Sequence, residues 1–327
     1  MNVGILFGGN SLEHEISIIS AFQVKNRIKD KYNVIMIYSD FNSNIHNASR
    51  CSLNSFKRKK IKHLRKTYFK KNGIKNKKID VMILLGHGEN SEDGVFQGLM
   101  RYYSIPYIGS DLFASSVSID KWLTYLFLKN DILMLEKINY CENDFLENKK
   151  INYPLMIIKP RYGGSSIGIK VCKKEEAYPI LGKLIYEYKN VIIEPFIENV
   201  MEYTQAISNN YISKIEVIRK NKFYDFKEKY SSDNKLIAKE FIIDQELDKL
   251  SRKIYKLINA SGIIRIDYFK INNKYYLNEI NTLPGAMGSY LFDNFIEVLE
   301  DEIKIALNRE LKRYDYIGFL MNSNIEK

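Results

Sequence analysis

The stretch Arg265–Gly285 reads RIDYFKINNKYYLNEINTLPG. Strand-forming residues lie on both sides of Asn272-Asn273, so Ile263–Lys270 and Lys274–Ile280 are predicted to form a hairpin. Alternate residues of a strand share a face. Arg265 and Asp267 therefore point one way, and so do Glu279 and Asn281. Pairing across the turn gathers Asp, Glu and Asn oxygens beside a guanidinium. Hard oxygen ligands of this kind suit magnesium shared with phosphates, and the arginine can stabilise developing negative charge. A surface salt-bridge ladder would use the same residue types. The direct run from Asn281 into Thr282-Leu283-Pro284-Gly285 favours a site.

Three further constellations lie upstream. Lys159 ends an apolar run and leads through Pro160-Arg161-Tyr162 into Gly163-Gly164-Ser165-Ser166-Ile167-Gly168. Backbone N–H groups of such a loop can cradle phosphate while the lysine supplies charge. It is not a P-loop, since no G-K-[ST] ends it. Near the start, Gly8-Gly9-Asn10-Ser11-Leu12-Glu13-His14-Glu15 lacks the dinucleotide fingerprint. It puts carboxylates in the first turn of a helix, where the dipole favours them. Gly86-His87-Gly88 and Glu92-Asp93-Gly94 follow the third predicted strand, and active-site loops of open parallel sheets gather at such strand ends.

The remaining elements are predicted as follows. Asn2–Phe7, Asn33–Tyr38 and Asp80–Leu85 are short apolar strands, and Ser11 caps a helix through about Ile28. This rhythm predicts a parallel sheet covered by helices. Asp111–Lys129 is one helix, and Leu155–Lys159, Gly168–Cys172 and Val191–Glu194 are strands. Glu175–Tyr188 is a helix despite Pro179 and Gly182. Glu202–Phe226 holds several strands, Phe223–Phe241 a long loop, and Leu247–Ala260 and Phe295–Leu307 are helices.

The 327 residues carry 50 Lys+Arg and 39 Asp+Glu, and 45% are hydrophobic, a soluble globular balance rather than a disordered one. Lys57–Lys78 alone holds 12 of the basic residues and no acidic one; without them 38 basic residues face 39 acidic ones. One segment is therefore basic, not the whole protein. A nucleic-acid patch is one reading and a solvated face the other, which is the usual meaning of a charge run. No apolar run approaches the roughly 18 residues of a membrane span, and the first residues lack the basic start of a signal peptide. Cys51, Cys141 and Cys172 form no C-x-x-C pair, which points to a reducing cytoplasm.

Taken in order, GGNSLEHEIS, HGENSEDGVFQG, Asp120-Lys121, KPRYGGSSIG, RID and NEINTLPG resemble the D-alanine–D-alanine ligases of the ATP-grasp superfamily. The resemblance runs from about Val3 to Leu307. It implies an α/β and α+β fold: an N-terminal open parallel-sheet lobe (1–108), a central lobe (109–193) and a C-terminal lobe (194–327), the last two sandwiching ATP. It implies that Lys121 and Lys159 hold ATP phosphates, that Glu194, Phe196, Ile197 and Glu202 frame adenine and ribose, and that Lys229 reaches the terminal phosphate. Asp267, Glu279 and Asn281 would ligate two magnesium ions, with manganese as a substitute. Glu13 would hold the ammonium of the first D-alanine, grouped with Ser165 and Tyr230, and His87 would face substrate. Arg265 and the Gly285 N–H would support the tetrahedral intermediate, and Ser289 the carboxylate of the second substrate.

The family commonly has glycine where Ser91 stands, and the segment EPFIENVMEY is one residue longer than usual. The implied reaction joins two D-alanines with ATP through an acyl phosphate for peptidoglycan precursors, in a cytoplasmic homodimer that engages neither nucleic acid nor membrane. A D-alanine–D-lactate or D-alanine–D-serine ligase, or another ATP-grasp carboxylate–amine ligase, is the rival. Tyr230 after Lys229 favours D-alanine, because D-lactate ligases tend to carry histidine there.

Overall fold

The computed structural model describes residues 1–59, 61, 64–164, 166–218 and 240–309. Three larger sheets organise them. The first has six strands in the order Arg65–Lys66, Ile45–Asn47, Asn33–Ser39, Asn2–Gly8, Val81–Leu84, Tyr107–Ile108. Its last four strands are parallel. Asn2–Gly8 is buried almost throughout, as a central parallel strand covered on both faces must be. Helix His14–Ile28 lays Ile18, Ala21, Phe22 and Val24 against Val3, Ile5 and Phe7. The same core takes Phe295, Val298, Leu299 and Ile303 of helix Phe295–Asn308. The last described helix thus returns to the first sheet rather than staying with its sequence neighbours.

Gly8 closes the first strand with φ +89, and a Cβ there would stand 2.2 Å from the Ser39 carbonyl oxygen, so only glycine fits. Ser11 does not cap the helix that follows. The helix starts at His14 with Glu13 at its N-cap, and Ser11 Oγ instead donates to the His87 carbonyl at 2.6 Å. A short polar side chain whose position predicts a local cap instead ties two loops together.

The second sheet is antiparallel, in the order Ile138–Cys141, Asn190–Pro195, Leu155–Pro160, Lys170–Lys173. Helix Ala177–Tyr188 covers it through Leu181, Leu184 and Ile185. Pro179 falls in the first turn, where its missing N–H costs nothing. Gly182 makes room for the Phe145 ring, 3.1 Å from where a Cβ would lie.

The third sheet runs Glu240–Ile242, Ile212–Ile218, Met201–Ile207, Ile264–Ile271, Lys274–Asn281, all antiparallel. Helix Gln245–Leu257, capped by Asp244 on the Glu246 N–H at 2.9 Å, packs Leu247 and Ile254 on Ile264, Ile266 and Tyr268. The long loop expected over Phe223–Phe241 lies outside the described residues up to position 239, and Phe241 belongs to the edge strand.

The single helix expected over Asp111–Lys129 is two, Leu112–Ile119 and Lys121–Leu128. Asp120 between them is extended and accepts from the Trp122 and Leu123 N–H groups at 2.9 and 3.1 Å. Periodicity alone does not expose such a break, because the apolar pattern runs through it.

The basic segment holds helix Leu53–Lys57 and the three-stranded sheet Phe69–Lys70, Gly73–Ile74, Lys77–Lys78. Phe69 and Ile74 are buried under it, while Lys70, Lys71, Lys75, Lys77 and Lys78 are exposed. Changing several of these lysines to Gln should leave turnover within about three-fold, as is usual for solvated charges away from chemistry. Steady-state ADP release checks this, and a large loss at unchanged melting temperature would show contact with substrate or a partner.

Candidate active site

The hairpin forms as the alternation requires. Arg265 faces Asn281, and Asp267 faces Glu279. Asn272 and Asn273 both take positive φ (48° and 60°), the geometry of a two-residue turn that asparagine tolerates. Arg265 Nε and Nη2 donate to the two Asp267 oxygens at 3.0 and 2.9 Å. Asn281 Nδ2 donates at 3.2 Å, and Thr204 Oγ1 donates from the neighbouring strand. Burial works to raise the Asp267 carboxyl, but the Arg265 guanidinium together with hydrogen bonding to Thr204 and Glu279 holds the group below its usual range. Burial likewise opposes the charge on Arg265, and Asp267 more than restores it.

Register shifts after Asp267, where Tyr268 pairs with Leu277 and Asn278 is the extra residue. Tyr275 and Leu277 stay in the core on one side of this bulge, and Ile280 on the other, so Glu279 and Asn281 keep the site face. The phase change from odd to even apolar positions was visible in the sequence, but strict alternation left it unused.

A second group of charges lies on the central sheet. Glu194 is buried between two lysines: Lys137 Nζ donates at 2.7 Å and Lys159 Nζ at 3.1 Å. Burial pushes the Glu194 carboxyl up, yet Lys159 and Lys137 together bring it down to about 2. Lys121 Nζ donates to the Gly163 carbonyl at 2.6 Å, which anchors the glycine loop. Burial leads in bringing Lys121 down to about 8; Glu279 and Glu194 pull upward, Lys159 and Lys137 downward. Those interactions join the hairpin and the lysine cluster in one electrostatic unit. Arg161 grips Asp120 through Nε at 2.9 Å and Nη2 at 2.7 Å, fixing Lys121 against the loop.

The N-terminal loops complete the cleft. A Cβ on Gly88 would stand 3.1 Å from Glu13 Oε2, and one on Gly164 3.5 Å, so that carboxylate lies between loops of the first and second sheets. His87 is buried, its Nε2 3.1 Å from Ser20 Oγ and its Nδ1 3.3 Å from Glu92 Oε1. Gly285 approaches from the hairpin, where a Cβ would lie 3.9 Å from Ser20 Oγ. Beyond it Ala286, Met287 and Gly288 all take positive φ, a left-handed turn closed by Met287 N–H on the Pro284 carbonyl at 2.8 Å. Ser289 is buried just after this turn, and Tyr290 donates to Glu216 at 2.7 Å. Ser91 lies under Gly86, where a Cβ would meet its Oγ at 2.3 Å.

Phe196 donates its N–H to the Leu155 carbonyl at 3.1 Å, with Ile197 following beside the second sheet, and Glu202 enters the third sheet opposite Phe269. Ser165, Lys229 and Tyr230 lie outside the described residues. No role was expected for Lys137, Thr204 or Ser20, nor for Asp120, Arg161 and Glu92, which stand within the motifs quoted above. Of these, Asp120 had a signal as a capping residue before a helical run.

A family profile described as D-ala D-ala ligase N-terminus matches residues 2–110, and one described as D-ala D-ala ligase C-terminus matches residues 122–297. The chain belongs to the D-alanine–D-alanine ligase family. A D-alanine–D-alanine ligase of Helicobacter acinonychis is 38% identical over 323 residues, covering 91% of each chain. One of Thermosipho melanesiensis is 35% identical over 344 residues, covering 94% of each. The crystal structure of the Helicobacter pylori D-alanine–D-alanine ligase superposes with a TM-score of 0.78 at 34% identity, covering 93% of this chain and 99% of that one. The fold is therefore the ATP-grasp fold expected of the family. Helix Leu112–Ile119 and the Asp120-Lys121 pair fall between the two family profiles. No helix among the described residues is long and apolar enough to cross a membrane.

Proposed function

We propose that this chain ligates two D-alanines to D-alanyl-D-alanine with ATP, forming ADP, for peptidoglycan precursor synthesis. The observation that carries the reading is the convergence of Glu13, the Lys121-anchored glycine loop and the Asp267–Glu279 hairpin on one cleft. The reading divides the chain into lobes 1–108, 109–193 and 194–327.

Glu13 would fix the ammonium of the first D-alanine, with Ser165 and Tyr230 beside it and His87 behind. Lys121 and Lys159 would hold the phosphates and Lys229 the terminal one; Phe196, Ile197, Glu194 and Glu202 would frame adenine and ribose. The substrate carboxylate attacks the γ-phosphorus; the bond to the β-phosphate oxygen breaks and ADP leaves. The amine of the second D-alanine, oriented through Ser289, then attacks the acyl carbon; the carbon–oxygen bond to phosphate breaks, phosphate departs, and the surplus proton on nitrogen passes to it or to solvent. Arg265 and the Gly285 N–H oppose the oxyanion formed in between.

Asp267 and Glu279 face each other, and Arg265 pairs with the first while its charge also acts on the second; two such carboxylates beside an amide form an oxygen set that suits a hard divalent cation. The hairpin supplies two carboxylates and the Asn281 amide; among the described residues no three His, Cys, Asp or Glu side chains converge. Two magnesium ions, or manganese, held by Asp267, Glu279 and Asn281 would neutralise charge on the transferring phosphoryl group.

Product analysis with ATP, magnesium and competing D-alanine, D-serine and D-lactate tests the reading; D-alanyl-D-alanine should dominate at neutral pH. Tyr230 sets the sharper expectation. A phenol adds no charge beside Glu13, whereas histidine, with an unperturbed pKa of about 6.5, would repel an incoming ammonium once protonated. Tyr230→His should yield some D-alanyl-D-lactate, increasing as pH falls below about 7. A product ratio that stays flat with pH would refute this role. The same reading includes a cytoplasmic homodimer, which sedimentation and cell fractionation test.

A further inference from the structure

Glu194 has two ammonium partners where one would neutralise it. Its strand, Asn190–Pro195, lies between Ile138–Cys141 and Leu155–Pro160. The register pairs Ile138 with Ile193 and Ile157 with Glu194, so Lys137, the residue just before one neighbouring strand, and Lys159, within the other, flank Glu194. The side chains of Lys137, Glu194 and Lys159 are 3%, 1% and 9% exposed. These three side chains sum to one positive charge, and with Lys121 and Glu279, which act on the same group, the sum stays at one; an anion is the group that would balance it. Lys137 makes the shorter contact and is the more enclosed. Lys159 stands at the strand end that opens into Pro160-Arg161 and the glycine loop anchored by Lys121.

We propose that Lys137 is a positioning residue for ATP: as the fixed counter-ion of Glu194, it lets Lys159 exchange that carboxylate for a phosphate oxygen. The inference rests on the nucleotide-site reading above. With Lys159 as the only partner, its departure to phosphate would strand a buried carboxylate, and ATP binding would bear that penalty.

The test measures binding of a non-hydrolysable ATP analogue by calorimetry, with steady-state constants and melting temperature alongside. Lys137→Met should weaken analogue binding and raise KM for ATP by about 10- to 100-fold, as loss of one partner of a buried pair does. KM for D-alanine should stay within about two-fold, and Lys137→Arg should restore most of the ATP affinity. In a Glu194→Gln background, Lys137→Met should change analogue binding by less than about three-fold, because no carboxylate remains to be stranded. If Lys137→Met proves too unstable, Lys137→Gln carries the same expectation. Unchanged analogue binding with a lowered melting temperature overturns the proposal, and so does an equal loss in both backgrounds. Lys159→Met separates the two readings. If it too leaves analogue binding unchanged, the nucleotide site itself is misassigned; if it weakens binding while Lys137→Met does not, only the role of Lys137 falls.

Discussion

Glu279→Gln is expected to lower turnover by roughly three orders of magnitude while the melting temperature stays within a few degrees of the unaltered protein. The substitution keeps the shape of the side chain and one oxygen but removes its charge. Glu279 faces Asp267 across the hairpin, and its charge is felt at Lys121. The loss therefore falls on the divalent ions and the phosphates they accompany, not on the core, which lies on the opposite face with Ile266 and Ile280. ADP release at saturating D-alanine, with melting curves, is the measurement. Near-normal turnover would remove Glu279 from the proposed magnesium set.

Arg265 should be almost as sensitive, and in a graded way. Lysine keeps the charge but cannot present two parallel N–H donors, so the paired contact to both Asp267 oxygens is lost. Arg265→Lys should cost roughly 100-fold in turnover with a small change in melting temperature. Arg265→Met should cost about ten times more again and lower the melting temperature by several degrees, because Asp267 then faces Glu279 without its compensating cation. Equal effects of the two substitutions on stability would show that the charge is immaterial to the hairpin. Activity within ten-fold of normal in Arg265→Met would end its role at the oxyanion.

The strands and the site hairpin were legible because they depend on local rules. Apolar runs specify buried parallel strands, Asn272-Asn273 specifies a tight turn, and alternation brings Arg265 and Asp267 to one face. Lys137 was not legible, because it becomes significant only when a non-local register sets it opposite Glu194. His87 shows the same limit: its loop was picked out, but its partners Ser20 and Glu92 come from a helix and a loop that only the fold brings together. The return of helix Phe295–Asn308 to the first sheet is likewise a tertiary outcome. An amphipathic helix shows that it must be covered, not by what.

The bulge at Asn278 makes the hairpin unequal in its tolerance of changes in chain length. An added residue beside Asn272-Asn273 can be taken up by a longer loop, far along the strands from the carboxylates. Loss of Asn278 has no such outlet. The strand would then have to keep either Tyr275 and Leu277 in the core or Glu279 and Asn281 on the site face, since the missing residue reconciles the two. One asparagine of no chemical distinction thus sets the phase between the interior of the lobe and its reactive surface, and deletions within this strand are excluded where insertions at its tip are not.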